Sequence, residues 1–87
     1  VTVLDVRPPG EYAQGHVAGA LNVPLERLQE RLRDLPPDRE VVAYCRGPWC
    51  VLSAEAVARL RQAGFTARRL EEGLPEWRRA GLPVVSD

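Results

Sequence analysis

A short apolar run that ends directly in a cysteine places the strongest constraint on this chain. Residues 41–44 are Val-Val-Ala-Tyr, and Cys45 follows them with no polar residue in between. After a short loop the sequence acquires helical periodicity, with Ala54, Val57 and Leu60 on one face. Cys45 is therefore predicted to lie where a buried strand stops and a tight loop leads into the N-terminus of a helix.

This junction suits an anion and favours a thiolate over a thiol. Backbone N–H groups and the positive end of the helix converge at such a point. The alternative is that Cys45 is a small buried core residue, which is the commonest fate of a free cysteine. Its position at the open end of the strand, where ligands bind in open α/β sheets, favours a functional role.

Composition narrows the class of protein. Twelve arginines balance twelve acidic residues, which removes the electrostatic case for nucleic-acid or membrane binding by this domain. Because the chain has no lysine, Schiff-base mechanisms are excluded.

No apolar run reaches membrane-spanning length, and two cysteines are too few for a disulfide scaffold, so we expect a reducing, cytoplasmic setting. Residues 1–87 are predicted to form one domain, and the absence of methionine suggests that it was trimmed from a longer chain.

Strand and helix patterns alternate along the sequence. The predicted strands are residues 2–6, 20–23, 40–44 and 65–70, followed by an extended piece at 81–85. The predicted helices are residues 11–14, 25–35, 51–63 and 75–80, with a glycine-containing loop at 15–20. The fold class is therefore α/β, with a small, open, mostly parallel sheet flanked by helices.

Several motifs occur in one order over nearly the whole chain. They are Leu4-Asp5-Val6-Arg7, Glu11-Tyr12, Gly15-His16-Val17-Ala18-Gly19-Ala20, Val23-Pro24, Tyr44-Cys45-Arg46-Gly47, and Glu72-Gly73 through Trp77 to Gly81-Leu82-Pro83-Val84. Together they resemble a single-domain sulfurtransferase of the rhodanese superfamily, although Glu72 stands where many members have a glycine. The resemblance implies a three-layer α/β/α fold.

The resemblance also implies covalent sulfur transfer. Cys45 would accept a sulfane sulfur from thiosulfate or a similar anionic donor, form a persulfide, and pass the sulfur to a thiophilic acceptor. The acceptor would be a thiol or a cyanide-like molecule, and it could belong to a protein. The backbone of the loop would bind the substrate, so the predicted binding residues are Arg46, Gly47, Pro48, Trp49 and Cys50.

Within the rhodanese superfamily, which this chain resembles, the length of the loop after the cysteine separates two chemistries. A loop of six residues counted from the cysteine accompanies sulfur transfer, and a longer loop that ends in arginine accompanies phosphatases and arsenate reductases. Here the loop runs from Cys45 to Cys50, and Val51 occupies the position of the phosphate-clamping arginine. The count favours sulfur transfer.

Three loop residues have alternative interpretations. Cys50 is a possible resolving thiol that condenses with an oxidised or persulfidated Cys45, or else only a small residue at the helix start. Arg46 attracts an anionic donor or is a solvated side chain. Trp49 forms a wall of the pocket or is an exposed docking residue.

His16 is a candidate base for Cys45. Its segment, however, resembles a structural turn of the family, which favours a hydrogen-bonded structural role for this residue. Asp5 and Arg7 are also interpreted as structural. Together with Cys45 and Cys50, His16 completes a set of soft ligands one short of a closed zinc site. We predict no metal and no cofactor.

Two other functions stay open beside sulfurtransferase activity. One is a sulfur-carrier or redox-sensing module of a larger regulatory protein, such as a transcriptional regulator. The other is a thiol-disulfide oxidoreductase, which the Cys-x4-Cys spacing disfavours.

Overall fold

A four-stranded parallel sheet forms the centre of the computed structural model, which describes residues 1–46, 51–70, 79, 81 and 83–86. Its strands are β1 (Thr2–Asp5), β3 (Leu21–Asn22), β4 (Val41–Tyr44) and β5 (Ala67–Arg69), in the spatial order β3-β1-β4-β5. All three pairings in this sheet are parallel. The predicted α/β class and mostly parallel sheet are confirmed.

The two inner strands are buried because both faces of the sheet are covered. All four residues of β4 are buried, and so are three of the four residues of β1. This is the pattern expected for β-branched and apolar runs in a parallel sheet. The register pairs Asp5 with Tyr44 at the carboxyl ends of these strands. The last residue of β4 therefore lies beside the last residue of β1, immediately before Cys45.

A second, two-stranded sheet was not predicted. β2 (His16–Val17) pairs antiparallel with β6 (Val84–Val85), inside the segments interpreted as a loop and as a terminal extended piece. Strands of two residues show no measurable alternation, and this pair joins segments that are far apart in the chain. The prediction of a loop over residues 15–20 is wrong at these two positions.

The helical elements are α1 (Pro9–Gln14), α2 (Leu28–Arg31) and α3 (Val51–Gln62), with 3-10 turns at Leu25–Arg27 and Leu32–Asp34. The single helix predicted over residues 25–35 is therefore divided into three pieces. At Arg27 and Arg31, where the pieces meet, φ is −104° and −99° and ψ is close to zero, which departs from regular α-helix geometry.

The leucine spacing in this segment nevertheless predicted the contacts correctly. Leu28 and Leu35 are buried, while Leu25 and Leu32 are partly buried and pack against the core. Tertiary packing therefore decides the position of this face even though the backbone is not one regular helix.

The ends of the other elements agree closely with the sequence pattern. α3 ends one residue before the predicted boundary, and Gly64 follows it with φ +95°, the left-handed conformation that favours glycine at a helix C-terminus. β3 and β5 are shorter than predicted. The helix predicted over residues 75–80 lies outside the described residues, apart from Arg79. In the described part of the chain, no helix has the length and apolar character needed to cross a membrane.

The main core lies between the sheet, α3 and the segment of residues 25–35. Its buried members are Leu4, Val6, Val23, Leu28, Leu35, Val41, Ala43, Cys45, Ala56, Val57, Leu60 and Ala67. A smaller cluster of Val17, Ala20 and Tyr44 covers the opposite side of the sheet. Cys45 thus belongs to the same packed unit as the central strands.

We expect Leu28→Ala to lower the free energy of unfolding by about 2–5 kcal/mol, because Leu28 is fully buried and its truncation leaves a cavity. Leu21→Ala, at a residue that is 49% exposed on an edge strand, is the matched control and should cost much less. Urea denaturation of both variants measures the difference. Equal midpoints would contradict the assignment of Leu28 to the core.

Candidate active site

Cys45 is the first residue after β4, the central strand that lies between β1 and β5. Its side chain is 1% exposed and packs with the main core. It is disulfide-bonded in this structure, so its thiol must be reduced before it can act as a nucleophile. The sequence places Cys45 at the carboxyl end of the parallel sheet, and the structure does the same.

The rest of the predicted loop is only partly described. Arg46 is described, whereas Gly47, Pro48, Trp49 and Cys50 lie outside the described residues. α3 begins at Val51, directly after this segment. The chain therefore runs from the central strand through the six residues 45–50 into the N-terminus of a twelve-residue helix, whose macrodipole is positive at that end.

A buried polar network stands beside Cys45 at the ends of β1 and β4. Arg7 donates through Nε and Nη2 to the Asp5 carboxylate, at 3.0 Å from Oδ1 and 2.7 Å from Oδ2. The Tyr44 hydroxyl donates to Asp5 Oδ2 at 2.6 Å and accepts from the backbone N–H of Val17 at 3.0 Å. Arg7 Nη2 also donates to the Gly15 carbonyl at 2.6 Å. Three separate chain segments, residues 5–7, residues 15–17 and the end of β4, are thus joined by one carboxylate and its two partners.

The charges in this network are paired as deep burial requires. Asp5 is 0% exposed and Arg7 is 5% exposed. Burial alone lowers the pKa of Arg7, but the hydrogen bond and negative charge of Asp5 outweigh it, and the pKa is raised. Burial, reinforced by the hydrogen bond to Asp5, raises the pKa of Tyr44 well above the usual range. The phenol therefore keeps its proton and serves as a donor to the carboxylate.

The network also fixes the backbone around β1. Asn22 Nδ2 donates to the carbonyl oxygens of Asp5 at 3.1 Å and Arg7 at 2.9 Å, which ties β3 to the turn after β1.

The sequence analysis identified Asp5 and Arg7 as structural but missed Tyr44 and Asn22. The signal for Tyr44 was a polar-tipped aromatic residue at the end of a fully buried strand, which needs a hydrogen-bond partner.

Arg46 is held by an ion pair that the sequence analysis did not predict. Its Nε and Nη2 donate to the two carboxylate oxygens of Glu11, at 2.8 Å and 2.7 Å. The hydrogen bond from Arg46 lowers the pKa of Glu11, and the same contact raises the pKa of Arg46. Because Glu11 belongs to α1, this pair joins the first residue after Cys45 to the helix that follows β1. Neither of the two interpretations offered for Arg46 included a protein partner.

His16 has the hydrogen-bonded structural role that the sequence favoured. Its ring stacks on Tyr12 with 3.6 Å between centroids, and its Nδ1 lies 2.7 Å from the Tyr12 carbonyl oxygen. Since a carbonyl can only accept, Nδ1 carries the proton in this contact. The side chain is 4% exposed. Within the described ranges, no three histidine, cysteine or acidic residues form a group suited to a metal ion.

The fold and the site define a class of protein: a small parallel α/β domain in which a cysteine follows the central strand and a loop leads into a helix. The sequence matches the family described as Rhodanese-like domain over residues 1–80. The chain belongs to this family, and the resemblance inferred from its motifs is confirmed.

Two curated relatives and one solved structure show the range of similar proteins. The HTH-type transcriptional regulator Rv0324 of Mycobacterium tuberculosis is 52% identical over 97% of this chain and 37% of its own length. A sulfurtransferase of Allochromatium vinosum is 39% identical over 99% of this chain and 79% of its own. The crystal structure of a rhodanese-related protein from Thermoplasma volcanium superposes with a TM-score of 0.87 at 36% identity, covering 99% and 84% of the two chains. This chain therefore spans well under half of the regulator and most of the other two.

We expect Tyr44→Phe to lower the free energy of unfolding by about 1–3 kcal/mol, because it leaves the Val17 N–H without its acceptor and removes a donor from Asp5. Tyr12→Phe is the matched control: the Tyr12 hydroxyl donates to the Ala20 carbonyl at 2.6 Å in a partly buried position. That variant should lose about 0.5–1.5 kcal/mol. Urea denaturation compares the two, and a smaller loss for Tyr44→Phe would refute the central place of this hydroxyl.

Proposed function

We propose that the protein is a sulfurtransferase that uses Cys45 as its nucleophile and thiosulfate, or a similar sulfane-sulfur anion, as its donor. The observation that carries the proposal is the position of Cys45 at the carboxyl end of the central strand in a chain of the rhodanese-like family. The similar sulfurtransferase of Allochromatium vinosum, aligned over 99% of this chain, supports the same class of reaction.

The first half-reaction loads the cysteine with sulfur. The Cys45 thiolate attacks the outer sulfur of thiosulfate, an S–S bond forms between the two sulfurs, and the bond between the outer sulfur and the sulfite sulfur breaks. Sulfite leaves with the electron pair of that bond, and Cys45 is left as a persulfide anion. No external oxidant or reductant takes part, because the sulfane sulfur is transferred as a neutral atom.

Thiosulfate, sulfite and the persulfide all carry negative charge in this step. Backbone N–H groups of residues 46–50, together with the N-terminus of α3, are proposed to stabilise them. The buried network of Asp5, Arg7 and Tyr44 contributes by fixing the end of β4, from which the loop departs. In this proposal the side chain of Trp49 closes the pocket against water.

The second half-reaction returns the cysteine to its starting state. A thiophilic acceptor, such as cyanide or a thiolate, attacks the outer sulfur of the persulfide, and the Cys45 thiolate leaves. Cyanide becomes thiocyanate, and a thiolate becomes a new persulfide. A cytoplasmic setting, proposed from the low cysteine content, would keep Cys45 reduced between turnovers.

Cys45→Ser tests the nucleophile. We expect thiocyanate formation from thiosulfate and cyanide to fall to the uncatalysed rate, because a serine hydroxyl cannot form a persulfide under these conditions. Cys50→Ser is the matched control, with the same sulfur-to-oxygen exchange, and it should still release sulfite from thiosulfate in a single turnover. Full activity in reduced Cys45→Ser would remove Cys45 from the mechanism.

Cys50 is proposed as a resolving thiol. Cys45 is disulfide-bonded in the structure and the sequence contains one other cysteine, and these two facts support the role. After the Cys45 persulfide takes up a proton from solvent, the Cys50 thiolate would attack its inner sulfur, forming a disulfide and releasing the outer sulfur with that proton as hydrosulfide. Reduction by a thiol then restores both cysteines.

This role predicts an intramolecular Cys45–Cys50 disulfide after loading reduced protein with thiosulfate in the absence of an acceptor. Mass spectrometry of the digested protein should find the linked peptides, together with sulfide released in equal amount. In Cys50→Ser the Cys45 persulfide should persist instead. A lasting persulfide in the wild-type protein would exclude a resolving role for Cys50.

A second candidate is a module that carries or senses reactive sulfur within a regulatory protein. The observation that favours it is the 52% identity to an HTH-type transcriptional regulator, of which this chain spans 37%. The same half-reactions separate the candidates. A persulfide that forms rapidly but is not discharged by cyanide or small thiols supports the module, and continuous turnover supports the enzyme.

A further inference from the structure

The ion pair between Arg46 and Glu11 engages the side chain that directly follows the nucleophile in sequence. Both guanidinium nitrogens that face Glu11 are used, one on each carboxylate oxygen, in a bidentate arrangement. The guanidinium group has the planar, doubly donating form that also recognises oxyanions such as a sulfonate or thiosulfate. Glu11 therefore occupies donors that could also bind an oxyanion, on the residue that directly follows Cys45.

Because the Arg46–Glu11 ion pair is exposed to solvent, its contacts can break without a large cost in free energy. The side chains of Arg46 and Glu11 are 57% and 33% exposed, in contrast to 6% and 0% for Arg7 and Asp5. Exposed ion pairs are screened by solvent and contribute little to stability, so another anion competes with them readily. The buried Arg7 is committed to Asp5 and to the Gly15 carbonyl and offers no such exchange.

We propose that Glu11 is a specificity-determining residue, which competes with the sulfur donor for the Arg46 guanidinium and so sets how strongly the site discriminates by donor charge. The inference rests on the proposed sulfurtransferase function and names the determinant of its donor preference. A dianion such as thiosulfate displaces Glu11 from Arg46. A thiosulfonate carries only one negative charge and therefore displaces Glu11 less effectively.

The test compares two glutamates of similar exposure, each paired with an arginine. Glu11→Gln removes the competing charge beside Arg46. Glu40→Gln is the control: Glu40 is 34% exposed, pairs with Arg68 at 3.3 Å, and directly precedes β4 at the end of the strand opposite to Cys45. Both variants lose one negative charge, so any difference between them reflects position and not net charge.

We expect Glu11→Gln to lower KM for thiosulfate about two- to fivefold, the range that corresponds to the loss of one exposed ion pair, with kcat unchanged. KM for methanethiosulfonate should fall less, and Glu40→Gln should leave both values unchanged. In an Arg46→Gln background, Glu11→Gln should have no further effect. An equal decrease with and without Arg46 would show a general charge effect and overturn the proposal, as would no decrease in either background.

Alkylation of Cys45 provides a readout that does not need sulfur transfer. The experiment uses reduced protein carrying Cys50→Ser and measures the rates at which iodoacetate and iodoacetamide alkylate Cys45. The ratio of the two rates compares an anionic reagent with a neutral one of similar size. Glu11→Gln should raise this ratio about two- to fivefold when Arg46 is present and leave it unchanged in Arg46→Gln.

The two readouts distinguish the failure of each idea. If the wild-type protein shows no turnover with sulfur donors but the alkylation ratio responds as described, sulfurtransferase activity is refuted and the competition for Arg46 stands. If turnover is present but neither KM nor the ratio responds to Glu11→Gln, the competition is refuted and the enzyme stands.

Discussion

The carboxylate of Asp5 is the constraint on which the rest of the structure depends. It accepts from Arg7 and from Tyr44 at full burial, and through them it joins the ends of β1 and β4 to the segment that contains β2. A buried charge is tolerated only when it is paired and its hydrogen bonds are satisfied, so each partner must be in place. Because Tyr44 immediately precedes Cys45, the same requirement fixes the point from which the cysteine loop departs.

Two of the arginine–carboxylate pairs in the described residues, both near the carboxyl ends of β1 and β4, differ in their surroundings. The pair of Arg7 and Asp5 is buried and tied into the backbone, so it contributes to a single arrangement of the strand ends. The pair of Arg46 and Glu11 is exposed and reaches the same end of the sheet from outside. Solvent weakens the exposed pair, and this difference in dielectric surroundings is what separates a structural pair from one suited to exchange with an anion.

Much of the fold could be predicted because burial imposes a clear pattern on the longer elements. The run that ends at Tyr44 and the leucines of residues 25–35 showed their buried faces in the sequence. The helix that ends near Gly64 was predicted in place, but its buried residues are Ser53, Ala56, Val57 and Leu60, and Ala54 of the predicted face is exposed. The pairing of β2 with β6 could not be predicted, because two-residue strands lack periodicity and their partner is remote in the chain. Regular geometry in the leucine segment was predicted wrongly, since the spacing of apolar residues fixes a face but not an unbroken helix.

For the site, the sequence by itself determined the nucleophile candidate, its place after the central strand, the spacing to the second cysteine and the family. These features are local, because they depend on the order of residues along one strand, loop and helix. Only the tertiary structure decided that Tyr44 binds Asp5 across the sheet and that Glu11 holds Arg46. Those partners are 39 and 35 residues apart, and no local pattern encodes which distant side chains the strand register and the packing of α1 bring together.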